Sequence, residues 1–133
     1  TDLEHGLFGL ELASGKFFWV AASKNSTLFG IESLYARDDK TLIAVQPGTQ
    51  PRRTMALQLS DDGRKVLQAT SLDSNNPALT APTRGVIVGD GFYVIANSQK
   101  GKYDGQGKLA PGNTLEPIRI FQSPIGATGG NAQ

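Results

Sequence analysis

Two stretches of the chain read as copies of one unit. Gly30-Ile31-Glu32-Ser33-Leu34-Tyr35, an acidic turn and Leu42-Ile43-Ala44-Val45-Gln46 are echoed by Gly85-Val86-Ile87-Val88, Gly89-Asp90-Gly91 and Phe92-Tyr93-Val94-Ile95-Ala96-Asn97. Each copy spells a β-hairpin, followed by a polar loop and a third amphipathic strand. The leading glycines lie 55 positions apart. Repeating units built from four strands recur at ~40–50 residues, so the spacing fits once a loop insertion is allowed for.

The rest of the chain follows the same rhythm. Sixteen glycines and seven prolines separate short apolar runs, the pattern of many strands joined by tight turns, and no capped helical stretch stands out. Gly6–Leu12 and Phe17–Ala22 predict a hairpin around Ala13-Ser14-Gly15-Lys16. Leu42-Ile43-Ala44-Val45 shows no alternation, which suits a strand covered on both faces. In the next strand Met55, Leu57 and Leu59 alternate with Thr54, Ala56 and Gln58, and after the turn Ser60-Asp61-Asp62-Gly63-Arg64 a fourth strand runs from Val66 to Leu72. A second unit opens with Val86-Ile87-Val88, pairs with Phe92–Ala96 and continues into Ile118–Phe121.

These elements predict an all-β fold of antiparallel four-stranded blades, a partial β-propeller of about two blades. Its expected parts are the end of one blade over residues 1–29, a full blade over 30–73 and an incomplete last blade over 82–122. Residues 126–133, and the small polar run from Ser123 onward, read as a flexible tail.

Composition narrows the partners. At 133 residues with 38% hydrophobic and 19% charged side chains, the chain can bury one ordinary core. Thirteen basic against twelve acidic residues leave a net charge of +1, and Arg52-Arg53 is an isolated basic pair, which argues against nucleic acid as a partner. No run approaches the ~20 apolar residues of a membrane span, so no membrane partner is expected. Cysteine is absent, which excludes a disulfide framework and a thiolate metal site.

Having these residues in view, the chain resembles the C-terminal part of six-bladed propellers of the gluconolactonase, regucalcin and strictosidine-synthase-like superfamily, nearest to bacterial members. The likeness rests on His5-Gly6-Leu7, Leu28–Tyr35, Asn75-Asn76-Pro77, Pro82-Thr83-Arg84-Gly85-Val86 and Phe92–Gln99, and covers about Leu3 to Ile125. It implies a longer parent chain, of which this is a fragment, or a short product completed by association. It also implies a metal-binding carboxylate, usually aspartate, in the segment that holds Glu32. Here glutamate moves the oxygens outward by a methylene, and Ser33 and Leu34 depart from the family pattern.

The candidate site lies where propeller loops gather around the central channel, in Ser23–Phe29, Pro47–Arg52, Ser74–Pro82 and Ser98–Glu116. Glu32 is the metal candidate, because its oxygens suit a hard divalent cation such as calcium, although calcium wants six to eight oxygens and the other family ligands lie in blades absent from this chain. The residues themselves point to no cofactor, and the plain reading of Glu32 is a carboxylate hydrogen-bonded at a strand start. Asn97 and Ser98, with Gln46 at the matching position of the previous unit, could contact a ligand; amides after an inner strand more often bind backbone groups. Arg84 could hold an anion on the channel wall, or pair with carbonyls or a nearby carboxylate. Lys102–Gly107 has a single acid where a calcium loop carries several. No catalytic residue is assigned: His5 is the only histidine and no Gly-x-Ser-x-Gly elbow occurs.

Two functions compete. One is a propeller-type binding or assembly module for a small molecule, self-associating through open strand edges at Gly6–Ala22 and Ile118–Phe121. The other is a fragment of a lactonase-like, metal-dependent hydrolase acting on a small sugar lactone or ester. A monomer whose tail caps one edge is the alternative to self-association.

Overall fold

The computed structural model describes residues 1–126. Over them the chain is all-β, as the glycine-punctuated apolar runs predict. Nine strands form three antiparallel sheets in chain order. The first is the hairpin of β1 (Phe8–Glu11) and β2 (Lys16–Trp19). The second is a four-stranded meander of β3 (Ser33–Ala36), β4 (Thr41–Gln46), β5 (Arg53–Leu59) and β6 (Val66–Ser74). The third holds β7 (Gly85–Val88), β8 (Gly91–Ile95) and β9 (Ile120–Pro124). No sheet closes on itself.

The sheets stack with the meander in the middle. Side chains alternate across a strand, so each face of β4 meets a different neighbour. Ala44 joins Met55, Leu57 and Val66 against Leu7, Leu28 and Ile31 on the hairpin side. Ile43 and Val45 face the other way, against Phe92, Val94, Ala96, Leu79 and Ile125. This explains the unbroken apolar run in β4, where Ile43, Ala44 and Val45 are all fully buried.

Where the chain passes from the hairpin to the meander, two glycines touch. Gly30 sits at φ +73°, in the left-handed region, and the Gly48 amide donates to its carbonyl at 3.1 Å. A Cβ on Gly30 would lie 2.7 Å from the Gly48 Cα, and one on Gly48 2.5 Å from the Gly30 Cα. No side chain fits between the two backbones. Their contact ties the entrance of the meander to the β4–β5 turn.

Two expectations need correction. β9 begins and ends later than the Ile118–Phe121 run suggests, because Phe92 pairs with Ser123 and Gly91 with Pro124. Ser123 and Ile125, read as the start of a tail, are only 3% exposed. Pro124 is tolerated at the end of this edge strand, where its missing N–H breaks no ladder. The Arg37 guanidinium donates to the Gly126 carbonyl at 3.3 Å, so the ordered chain reaches at least that residue. The rest of the predicted tail, 127–133, lies outside the described residues.

The second correction concerns Gln46 and Asn97. The Glu32 amide donates to the Val45 carbonyl, and the Thr83 amide to the Ile95 carbonyl. Leu34 pairs with Ala44 and Gly85 with Val94. That register makes Gln46 the counterpart of Ala96, one residue short of Asn97. The two amides consequently do not occupy equivalent positions in their units.

Candidate functional site

The loops between the second and third sheets and those after β4 and β8 meet in one cleft of about 310 Å3, lined by Glu32, Pro47, Arg52, Thr80–Thr83, Ser98, Lys100 and Gly101. Glu32 is held by two elements at once. Its Oε1 accepts a hydrogen bond from Thr83 Oγ1 at 2.7 Å and another from Lys100 Nζ at 2.8 Å. Ser33 Oγ donates to the Thr83 carbonyl at 2.6 Å, and the Gly85 amide donates to Tyr35 Oη at 2.8 Å. The start of β3 is thus stitched to the start of β7, and Glu32 is carried into the cleft by that seam.

Burial alone would push the Glu32 carboxyl up. The hydrogen bonds from Lys100 and Thr83, with the positive charges of Lys100 and Arg84, outweigh it and hold the group below the ordinary glutamate value. A carboxylate whose folded value is lowered stabilises the fold above its unfolded value, near pH 4.5, and that contribution is lost as pH falls through the lowered folded value. Lys100 is 68% exposed, so solvent screens the pair. Substituting Glu32→Gln should cost no more than about 1 kcal/mol at neutral pH. Thermal melts should show that difference shrinking as pH falls below 4.5 and through the lowered folded value; a gap that stays constant from pH 7 to acid would contradict the assignment.

The sequence-derived candidates separate into two groups. Glu32, Arg84 and Ser98 are brought together around Thr83 and Lys100. Gln46 and Asn97 are not. Gln46 is fully buried, its Nε2 donating to the Thr27 and Phe29 carbonyls and its Oε1 accepting from Arg53 Nε at 2.7 Å. Asn97, 4% exposed, donates to the Pro117 carbonyl and accepts from the Arg119 amide, which pins the start of β9. Both amides are spent inside the fold, on backbone groups and, for Gln46, on the Arg53 side chain as well. Asp104 likewise accepts from the Gln106 and Lys108 amides, an Asx turn in place of a calcium loop.

Arg52, Thr83 and Lys100 complete the cleft and were not among the predicted site residues. Arg52 had a signal, since it opens one of two adjacent basic pairs, the other being Arg64-Lys65. Lys100 lies in the Ser98–Glu116 loop expected to border the site, but nothing singled it out there, because a lysine in a long polar loop is ordinarily a solvated surface group. Among the described residues, neither the Arg52 nor the Arg84 guanidinium has a hydrogen-bond or ion-pair partner, and Glu32 Oε2 takes no hydrogen bond.

The arrangement does not fit the divalent cation that the family likeness implies. Glu32 is the one carboxylate lining this cleft, which Arg52 and Lys100 also line, and Arg84 lies beside Glu32 in the adjoining cavity. Among the described residues no three histidine or acidic side chains gather as a metal site. A calcium ion needs several oxygens and would have to displace Lys100.

The architecture defines an all-β protein of stacked antiparallel sheets with a cationic, loop-lined cleft over one sheet junction. Compared with protein-family models, with curated proteins and with solved structures, the chain finds no match.

Proposed function

We propose that this chain is a propeller-type binding module, related to the gluconolactonase, regucalcin and strictosidine-synthase-like superfamily, which takes a small hydroxylated organic anion without catalysis of its own. The observation that carries the reading is the cleft around Glu32. Arg52 and the Lys100 ammonium in the cleft, with Arg84 in the adjoining cavity beside Glu32, supply positive charge for a carboxylate, which arginine binds through paired N–H donors. Thr83 and Ser98 hydroxyls and the open Glu32 Oε2 supply polar contacts for ligand hydroxyls. A cleft of about 310 Å3 lies within the size range of small-ligand sites.

The hydrolase reading has less support. It needs a channel metal to polarise the carbonyl and activate water, and the donor set around Glu32 does not suit one.

Calorimetric titration with gluconate tests the proposal. Binding at about millimolar affinity or tighter is expected, unchanged by added calcium and weakened at least tenfold in Arg52→Ala and Arg84→Ala. Absence of heat at millimolar gluconate, or binding that appears only with calcium, would overturn it.

A further inference from the structure

β4 and β6 run in the same direction, so the turn after one and the loop after the other leave the meander at the same end. Between them lies a second cavity, of about 280 Å3. Arg52 and Thr80 line both this cavity and the cleft that holds Glu32, so the two adjoin through these side chains.

The fold uses one of the polar groups here and leaves the others open. Asn76 is committed: its Nδ2 donates to Asp73 Oδ2 and its Oδ1 accepts from the Ala78 amide, both at 3.0 Å. Its neighbour Asn75 sits at φ +56°, in the left-handed region that asparagine enters more readily than most residues. Among the described residues, the Asn75 and Gln50 side-chain amides, the Thr80 hydroxyl and the Arg52 guanidinium take no hydrogen bond, although all four line the cavity. Pro51, Pro77 and Leu79 complete the lining, and no acidic side chain belongs to it.

These groups match a sugar ring. An amide carries both donors and an acceptor, and a hydroxyl also donates and accepts, so Gln50, Asn75 and Thr80 can meet ring hydroxyls in either sense. The proline and leucine carbons suit the ring's C–H face. A cavity of about 150 Å3 already holds a bare six-membered ring, which leaves room here for the hydroxyls that a pyranose adds. The cleft fixes what the ring is joined to. Arg52 carries five N–H donors in one plane, enough to serve a carboxylate on the cleft side and a hydroxyl on the other.

We infer that the site takes an acidic disaccharide, a sugar acid in the Glu32 cleft joined to a neutral pyranose between Gln50 and Asn75. The inference rests on the anion reading of that cleft. Joining the ring to the acid makes the ring's binding intramolecular, so contacts too weak to hold a free sugar still raise the affinity of the whole.

Calorimetric titration of the full chain tests it with three probes: gluconate, lactobionate, which is gluconate carrying a galactose ring, and lactose. Lactobionate should bind about tenfold tighter than gluconate or better, and lactose should give no heat at millimolar concentration. In Gln50→Ala, and in Asn75→Gly, which removes the amide and tolerates the positive φ, the ratio of the two acid affinities should fall to about one. Far-UV circular dichroism checks that both loop variants keep the wild-type fold. Gluconate bound with lactobionate no tighter would overturn the disaccharide site and leave the anion cleft standing, whereas heat from neither acid would overturn both. Lactose bound as tightly as lactobionate, or a ratio that neither variant moves, would place the ring elsewhere and overturn the inference as well. Lactobionate bound with gluconate and lactose both silent would keep the disaccharide site and overturn only the claim that the acid suffices alone.

Discussion

Phe92→Ala should lower the free energy of unfolding by about 3–5 kcal/mol, a large part of what a domain of this size possesses. Phe92 is fully buried at the junction of the meander and the third sheet, its ring 5.3 Å from that of Tyr35. The ring also fills the space over Gly85, where a Cβ would lie 2.5 Å from its Cζ. Truncation removes both packing surfaces and leaves a cavity that the surrounding ladders cannot collapse to fill. Urea denaturation followed by tryptophan fluorescence and circular dichroism gives the number. A loss below about 1 kcal/mol would mean that the two sheets do not rest on this side chain.

Gly30→Ala should be nearly as damaging, at about 2–5 kcal/mol, because two costs add. An alanine at φ +73° loses roughly 1–2 kcal/mol to its own Cβ and carbonyl. The same Cβ meets Gly48 at 2.7 Å, and driving the two backbones apart costs about 1–3 kcal/mol more. Gly48→Ala meets the second cost through the same contact, and the double variant should cost less than the sum of the two singles, since either methyl already separates the chains. Chemical denaturation of the three variants decides it, and strict additivity would show that the glycines do not touch in solution.

The strands of the meander were legible from the residues because their signals are local. An unbroken apolar run marks β4, strict alternation marks β5, and Asp61-Asp62-Gly63 marks the turn before β6. β9 was misplaced for the opposite reason. Ser123 and Pro124 are poor strand residues by composition, and what draws them into the sheet is pairing with Phe92 and Gly91, more than thirty residues away. The site was half legible on the same terms. Glu32, Arg84 and Ser98 stand beside strands whose positions could be read, so their convergence could be anticipated. Lys100 enters the cleft through the course of a long loop, which no periodicity encodes. Gln46 and Asn97 looked alike in sequence, and only the hydrogen-bond register separates them.

Each sheet is drawn from one continuous stretch of chain. Among the described residues, apart from the bridge between Ala21 and Lys65, no β-pairing joins one sheet to another. A break between Ser74 and Gly85 would therefore cut a connection without pulling a strand out of a ladder. Each side of such a break keeps its own ladders, and the side chains packed around Phe92 across the junction hold the two together.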